Sequence, residues 1–357
     1  MHSPHTIRPM TATRYLVTGG AGFVGANLCA ELLRRDPEAH VTVLDDCSSG
    51  SFLNLVEACE RAGVGPFRGR FLPYSLADVV FEDLIDVEQP DASFHLAALT
   101  DTTVVDERRM MLENAMTFPE ILQACSDAGV ALVYASSAAT YGSPPQGDRR
   151  EPFPIDAAGM PSNVYAFSKW QMECEHRRFL ESDDAPGAHV VGLRYFNVFG
   201  PGEARKGKMA SMAYQLTQQM LAGARPRLFA DGTQARDQVH VDDVVACTIA
   251  AAGLGEQEDV TSGIYNAGSG VATTFNDFAD AIRSALGISP AERPTDYFDM
   301  PPEVREFYQE YTCADMADTA SALGFTPRIN PLDGVATYAR YLARQHEHGA
   351  ARRGSRP

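Results

Sequence analysis

Tyr165 and Lys169 bracket the segment Tyr165-Ala166-Phe167-Ser168-Lys169. If that segment is helical, the i,i+4 spacing puts a phenol and an ammonium on one face. A phenol with a pKa of about 10 is a poor base at neutral pH, and a nearby cation favours the phenolate and brings it toward a useful range. Upstream, Leu132-Val133-Tyr134-Ala135-Ser136-Ser137 ends an apolar run in hydroxyls. Ser137 can hydrogen-bond the same alcohol oxygen whose proton Tyr165 exchanges. Such a pair suits the oxidation and re-reduction of a secondary alcohol, with hydride exchanged at a nicotinamide.

The chain carries a site for that dinucleotide. Tyr15-Leu16-Val17 runs into Thr18-Gly19-Gly20-Ala21-Gly22-Phe23-Val24-Gly25, followed by the apolar-periodic Leu28, Leu32 and Leu33. Gly20, Gly22 and Gly25 fit G-x-G-x-x-G, and Gly19, Gly22 and Gly25 fit the three-spaced variant. The glycines permit a tight turn and close approach to a pyrophosphate, and the helix beginning at Phe23 and Val24 supplies free N–H groups and a positive dipole end. Asp45 closes the next apolar run 20 residues after Gly25, where its carboxylate can accept bonds from the adenosine ribose. Asp45-Asp46-Cys47-Ser48-Ser49-Gly50-Ser51 holds two acids and no Arg or Lys, which repels a 2′-phosphate and favours NAD. NADP remains open through Arg35 or Arg68.

The elements that must position these groups are legible as a rhythm. Short runs at Tyr15–Val17, Val41–Leu44, Ser93–Leu96, Leu132–Tyr134 and Val190–Leu193 alternate with longer 3.6-periodic stretches. This is the βαβ signature of an α/β protein with a Rossmann-type, doubly wound parallel sheet. After about Gly200 the pattern loosens, with helices expected near 208–222, 240–253, 274–286 and 331–345. The expected division is a dinucleotide-binding domain at 13–200 plus about 238–268, and a smaller C-terminal α/β substrate domain at 201–237 and 269–345. Residues 1–12 and 346–357 read as flexible tails.

Bulk properties narrow the partners. The 357 residues carry a formal charge of −17, which opposes non-specific binding to nucleic acid or an anionic membrane. An anionic substrate must therefore meet locally concentrated Arg and Lys. The seven cysteines are scattered, with no C-x-x-C and no zinc spacing, as expected for free thiols in a reducing compartment. No stretch near Met1 has signal-peptide character, and Val244–Leu254 is too short to span a bilayer. A cytoplasmic location is expected.

The glycine loop, Ser137, Tyr165 and Lys169, in this order, resemble the extended short-chain dehydrogenase/reductase family over roughly residues 14 to 345. The resemblance implies cofactor contacts at Leu96, Ala97 and Ala98 of His95-Leu96-Ala97-Ala98 and at Asn114. It also implies contact of Asn197 with a sugar diphosphate and a phosphate grip by Arg236, for which a bidentate guanidinium is suited. A tightly bound NAD, a nucleotide-linked sugar as substrate and a homo-oligomeric assembly are implied with it.

Three segments carry the likeness further: Ala135-Ser136-Ser137-Ala138-Ala139-Thr140-Tyr141-Gly142, Lys206-Gly207-Lys208-Met209-Ala210-Ser211 and Tyr308-Gln309-Glu310-Tyr311-Thr312-Cys313-Ala314-Asp315. Together they are similar to the ADP-L-glycero-D-manno-heptose 6-epimerase family. That resemblance implies inversion at C6 through a ketone, with a second acid/base at Lys206 and substrate contacts at Lys206, Lys208, Ser211 and Tyr308. Lys206 and Lys208 can equally be read as gripping phosphate or as a solvated pair. Ala138 and Ala139 stand where sugar 4,6-dehydratases carry an Asp-Glu pair, so no group there can drive elimination. The chain departs from the epimerase pattern at Gly202, Arg205 and Phe307, in cofactor and nucleotide contacts, which leaves open a different nucleotide, a different heptose or NAD; UDP-hexose 4-epimerase and net dehydrogenase or reductase are the competing readings.

Overall fold

The computed structural model describes residues 12–101, 106–142, 150–182, 187–300 and 308–354, the last six of them as backbone only. Seven strands form the main sheet: β1 (Arg14–Thr18), β2 (His40–Leu44), β3 (Arg70–Leu72), β4 (Ala92–His95), β5 (Ala131–Ser137), β6 (Val190–Tyr195) and β10 (Gly263–Ala267). Their spatial order is β10-β6-β5-β4-β1-β2-β3, and every pairing is parallel. β1 to β6 are thus the expected doubly wound arrangement. Strands buried on both faces read as continuous apolar runs rather than alternating ones, and Leu16, Val17, Val43, Phe94, Val133 and Leu193 are completely enclosed. Each such side chain contributes roughly 1.5–3 kcal/mol by burial.

One face of the sheet is covered by α1 (Phe23–Arg35), α2 (Phe52–Ala62) and a later helix, Val241–Ala251. The other carries α3 (Phe81–Glu88), α4 (Glu107–Met111), α5 (Phe118–Asp127) and α6 (Val164–Leu180). Chain order reverses between β1, which leads to β2 and β3, and β4, which leads to β5 and β6. A crevice opens at such a switch point beyond the carboxyl ends of the strands. The glycine turn follows β1 and His95-Leu96-Ala97 follows β4, so both line that crevice.

The rest of the chain builds over this edge. β7 (Asn197–Phe199) pairs in parallel with β9 (Ala235–His240), which pairs antiparallel with β11 (Ala272–Thr274). β8 (Arg227–Phe229) pairs with β12 (Asp296–Phe298). α7 (Met212–Leu221), α8 (Val241–Ala251), α9 (Phe275–Leu286) and the Pro331–Gly354 helix match the four helices expected from periodicity. α7, α9 and the Pro331–Gly354 helix enclose a separate core of Leu216, Phe278, Ile282, Val335 and Tyr338.

The final helix runs on to Gly354, through part of the stretch read in sequence as a tail. Its apolar residues cease near Leu342, so the 3.6 pattern that marks a helix in sequence stops there, while Ala350 and Ala351 still favour helix. Cys29, Cys59, Cys125, Cys247 and Cys313 are buried free thiols. Among the described residues no helix is long and apolar enough to cross a membrane.

Candidate active site

A cavity of about 820 Å³ lies over the switch point, walled on one side by the glycine turn and on the other by residues after β7. Gly19 has a φ of +70°, and a Cβ there would meet the Ala97 nitrogen at 2.6 Å; at Gly25 a Cβ would collide with the Gly19 carbonyl oxygen. Any larger side chain would close the turn. The N-terminus of α1 begins at Gly22 with no acidic residue in its first turn, which leaves its N–H groups and dipole available to an anion. The Asp45 carboxylate accepts from the Ala21 N–H at 2.9 Å and the Cys47 N–H at 2.8 Å. The carboxylate lines the cavity and has acceptor capacity beyond these bonds. Turn, helix end and carboxylate therefore fit the pyrophosphate and ribose of a dinucleotide.

The hydroxyl chemistry is built on β5 and α6. Ser137 ends β5 and lines the cavity with Tyr165 in the first turn of α6, near enough for its hydroxyl to bear on the phenol. Burial pushes that phenol up, and the Ser137 hydroxyl pulls it partly down. Lys169, one turn on, was expected to stabilise the phenolate. It lines the cavity beside Tyr165, is almost fully buried and donates to the Ala135 carbonyl at 2.8 Å, and burial moves it down to about 8. The lysine in this state anchors the end of β5.

A buried ion pair locks the same two elements. Arg194 on β6 donates Nε to Glu173 Oε1 at 2.9 Å and Nη2 to Oε2 at 2.7 Å, with both side chains 0% exposed. The Ser136 hydroxyl donates to the same Glu173 at 2.6 Å. Arg194 Nη1 also donates to the Tyr141 hydroxyl at 3.0 Å and the Ile155 carbonyl at 2.7 Å. Every partner is supplied, as a desolvated pair requires. The network fixes where β5 ends relative to α6, and hence where Ser137 meets Tyr165.

Asn114, expected to contact cofactor, is fully buried, donating to the Leu99 carbonyl at 3.0 Å and the Ser168 hydroxyl at 3.1 Å while accepting from the Leu99 N–H at 2.8 Å. Its amide joins the loop after β4 to α6 and does not line the cavity.

The opposite wall is the segment from Pro201 to Met209, a strap of short 3₁₀ turns kinked at Gly207. Asn197, Lys206, Lys208 and Ser211 line the cavity as expected. The Lys206 ammonium lies 5.4 Å over the Phe23 ring, and Lys208 pairs with Asp101 across the cleft at 3.2 Å. Ser211 caps α7 and donates its hydroxyl to Glu203 at 2.8 Å, so that group is already engaged. Arg236 and Tyr308 are brought together, the guanidinium 4.7 Å over the ring, but outside the cavity lining. Burial lowers Arg236 to about 10. Phe307 lies outside the described residues.

Comparison with known proteins decides the class. A family model described as "NAD dependent epimerase/dehydratase family" matches residues 15–268. The chain belongs to that family. As an epimerase/dehydratase relative it is 34% identical over 334 residues to ADP-L-glycero-D-manno-heptose-6-epimerase of Brachyspira hyodysenteriae, covering 92% of this chain and 97% of that one. The solved ADP-L-glycero-D-manno-heptose-6-epimerase of Helicobacter pylori superposes with a TM-score of 0.78 at 30% identity, covering 95% and 99% of the two chains. UDP-N-acetylglucosamine 4-epimerase from Methanobrevibacter ruminantium superposes with a TM-score of 0.79 at 26% identity, covering 94% and 100%. The protein is an NAD-dependent enzyme of the epimerase kind.

For this epimerase the sequence reading missed Glu203 and Asn54 and named Arg205 only as a departure from the epimerase pattern. Arg205 also lines the cavity, and Asn54 donates to the Ala21 carbonyl of the glycine turn at 2.8 Å. Glu203 directly follows Gly-Pro-Gly, and a lone acid in such a turn is a signal of burial that only the fold makes visible.

Proposed function

We propose that the enzyme inverts a secondary carbinol of a nucleotide-linked sugar, C6 of an ADP-linked manno-heptose, by transient oxidation to a ketone and re-reduction on the opposite face. The observation that carries the reading is the pairing, across one cavity, of the Ser137–Tyr165 couple with Lys206. A dinucleotide held by its pyrophosphate at the glycine turn would supply hydride uptake and return through its nicotinamide. Tyr165 takes the carbinol proton on one face, with Ser137 holding the oxygen. Lys206 delivers a proton to the ketone oxygen when the sugar presents its other face. Ala138 and Ala139 offer no acid or base for elimination, which supports epimerisation over dehydration.

The remaining assignments belong to the same reading. Gly19, Gly22, Phe23, Val24 and Gly25 hold the pyrophosphate, Asp45 and Asp46 the adenosine ribose, and Leu96, Ala97 and Ala98 flank the cofactor. Asp45 and Asp46 disfavour a 2′-phosphate, and Arg35 is turned away, donating to Glu31 at 2.9 Å, which supports NAD over NADP. Asn197 and Lys208 meet the sugar diphosphate, with Arg236 and Tyr308 at the far nucleotide end. Residues 13–200 with about 238–268 form the cofactor unit, and 201–237 with 269–345 the substrate unit. The enzyme works in the cytoplasm as a homo-oligomer, a reading supported by the exposed Leu112, Met116 and Phe167.

Purified protein incubated with ADP-heptose should show inversion at C6 by NMR with no net NADH formed. Inversion of a UDP-hexose at C4, with ADP-heptose unchanged, would replace the heptose reading by the 4-epimerase one. Stoichiometric absorbance at 340 nm would make it a dehydrogenase.

A further inference from the structure

Glu203 is an acid fully enclosed in the strap that carries Lys206. Its Oε1 accepts from the Gly200 N–H at 3.1 Å and the Ser211 hydroxyl at 2.8 Å, and its Oε2 from the Ser211 N–H at 2.6 Å. Burial pushes this carboxyl up, and the three donors together with the Lys206 charge pull it back toward the ionised form. Gly200 directly follows β7 and Ser211 caps α7, so one side chain clasps both ends of the segment in which Lys206 sits. An isolated buried carboxylate costs several kcal/mol even after relaxation. The donors at the two ends of the strap offset that cost only while the strap holds this shape.

The same carboxylate acts on Lys206 through its charge. Burial pulls the Lys206 ammonium down, and Glu203 pushes it back up. The other groups around the carboxylate are phenols: Tyr214 on α7 and Tyr338 on the Pro331–Gly354 helix face it, and both are pushed up. Arg205 is held by Glu57, with Nη2 to Oε1 at 2.6 Å, and Lys208 by Asp101.

We propose that Glu203 is the positioning residue for Lys206, clasping the strap at Gly200 and Ser211 and supplying the anionic neighbour that keeps Lys206 protonated in the closed site. This rests on Lys206 being an acid/base of the reaction. Glu203→Gln retains shape and removes the charge, while Glu203→Asp retains the charge on a shorter arm.

The experiment reads Lys206 directly in the full-length enzyme, by NMR titration of ¹³Cε-labelled lysine with the resonance assigned from Lys206→Ala, and in parallel by pH–rate profiles. In Glu203→Gln the Lys206 titration should move down by about one unit or more. The matching limb of kcat should move with it, kcat should fall by about 10²-fold, and KM should change little. Glu203→Asp should restore the titration toward wild type, and this variant carries the test if Glu203→Gln does not fold. An unmoved Lys206 resonance and an unmoved limb in Glu203→Gln, or in Glu203→Asp a titration no closer to wild type than that of Glu203→Gln, would overturn the proposal. Wild-type turnover in Lys206→Ala would instead remove Lys206 from the chemistry, and the NMR titration would still report whether Glu203 governs its charge.

Discussion

Arg205 reaches from the strap to Glu57 on α2, with Nη2 to Oε1 at 2.6 Å and Nη1 to Oε2 at 2.9 Å. Nη1 also donates to Asn54 Oδ1 at 2.8 Å, and the Asn54 amide in turn holds the Ala21 carbonyl of the glycine turn. One guanidinium thus ties the substrate side of the cleft to the phosphate turn. A bidentate pair of this exposure stabilises by about 1 kcal/mol. Arg205→Ala should therefore release bound dinucleotide roughly 5-fold faster, measured by fluorescence after dilution. An unchanged release rate would show that the strap does not retain cofactor.

Tyr165→Phe removes the exchangeable proton while leaving the glycine turn and Asp45 untouched. Turnover should fall by about 10²–10⁴-fold, with dinucleotide affinity within about 3-fold of wild type. Isothermal titration alongside the NMR assay checks both halves. Activity at the wild-type level would take Tyr165 out of the mechanism.

Gly25→Ala places a methyl against the Gly19 carbonyl. The turn must open, so dinucleotide binding should weaken by at least about 10-fold while the far core around Phe278 and Tyr338 is undisturbed. Equilibrium binding together with the amide spectrum of α9 separates the two effects.

Glu173→Leu strips the partner from a fully buried guanidinium. Loss of one member of such a pair costs about 3–5 kcal/mol, and the urea midpoint should fall accordingly. A double change, Arg194→Met with Glu173→Leu, should recover part of that loss. A single variant as stable as wild type would mean that water reaches Arg194.

His176 is buried against Tyr134, Nδ1 to hydroxyl at 3.1 Å, and burial lowers it to about 4 from 6.5. Between those values the unfolded chain holds a proton that the folded chain does not. Stability therefore rises with pH across that window and is lost as pH falls through it, by up to about 3 kcal/mol. His176→Gln should move acid unfolding to lower pH, followed by circular dichroism. An unshifted midpoint would assign the acid transition to other groups.

The sequence spoke most clearly where chemistry and local structure share one short stretch. The glycine turn needs its strand before it and its helix after it, and Tyr165 and Lys169 share a helix face, so spacing alone carried both. The burial of Lys169 against the Ala135 carbonyl was not legible, because that contact belongs to β5 and not to its own helix. The packing of Asn114 was hidden for a similar reason: its partners Leu99 and Ser168 come from two other elements. Arg205 and Glu57 are 148 residues apart, and no periodicity links such positions. Glu203 was invisible because an acid in a Gly-Pro-Gly turn reads as solvent-facing until the strap is seen to fold over it.

β10 completes the main sheet beside β6, although the chain has by then already built β7 and β9 into another sheet. During synthesis, therefore, the Val190–Tyr195 edge stays unpaired until about Ala267 has emerged. That edge is apolar and flat, the kind of surface that seeks another strand. A fragment stopped near Gly200 should aggregate rather than bind dinucleotide by itself. The whole enzyme should melt in a single calorimetric transition, because neither half owns all of its own chain.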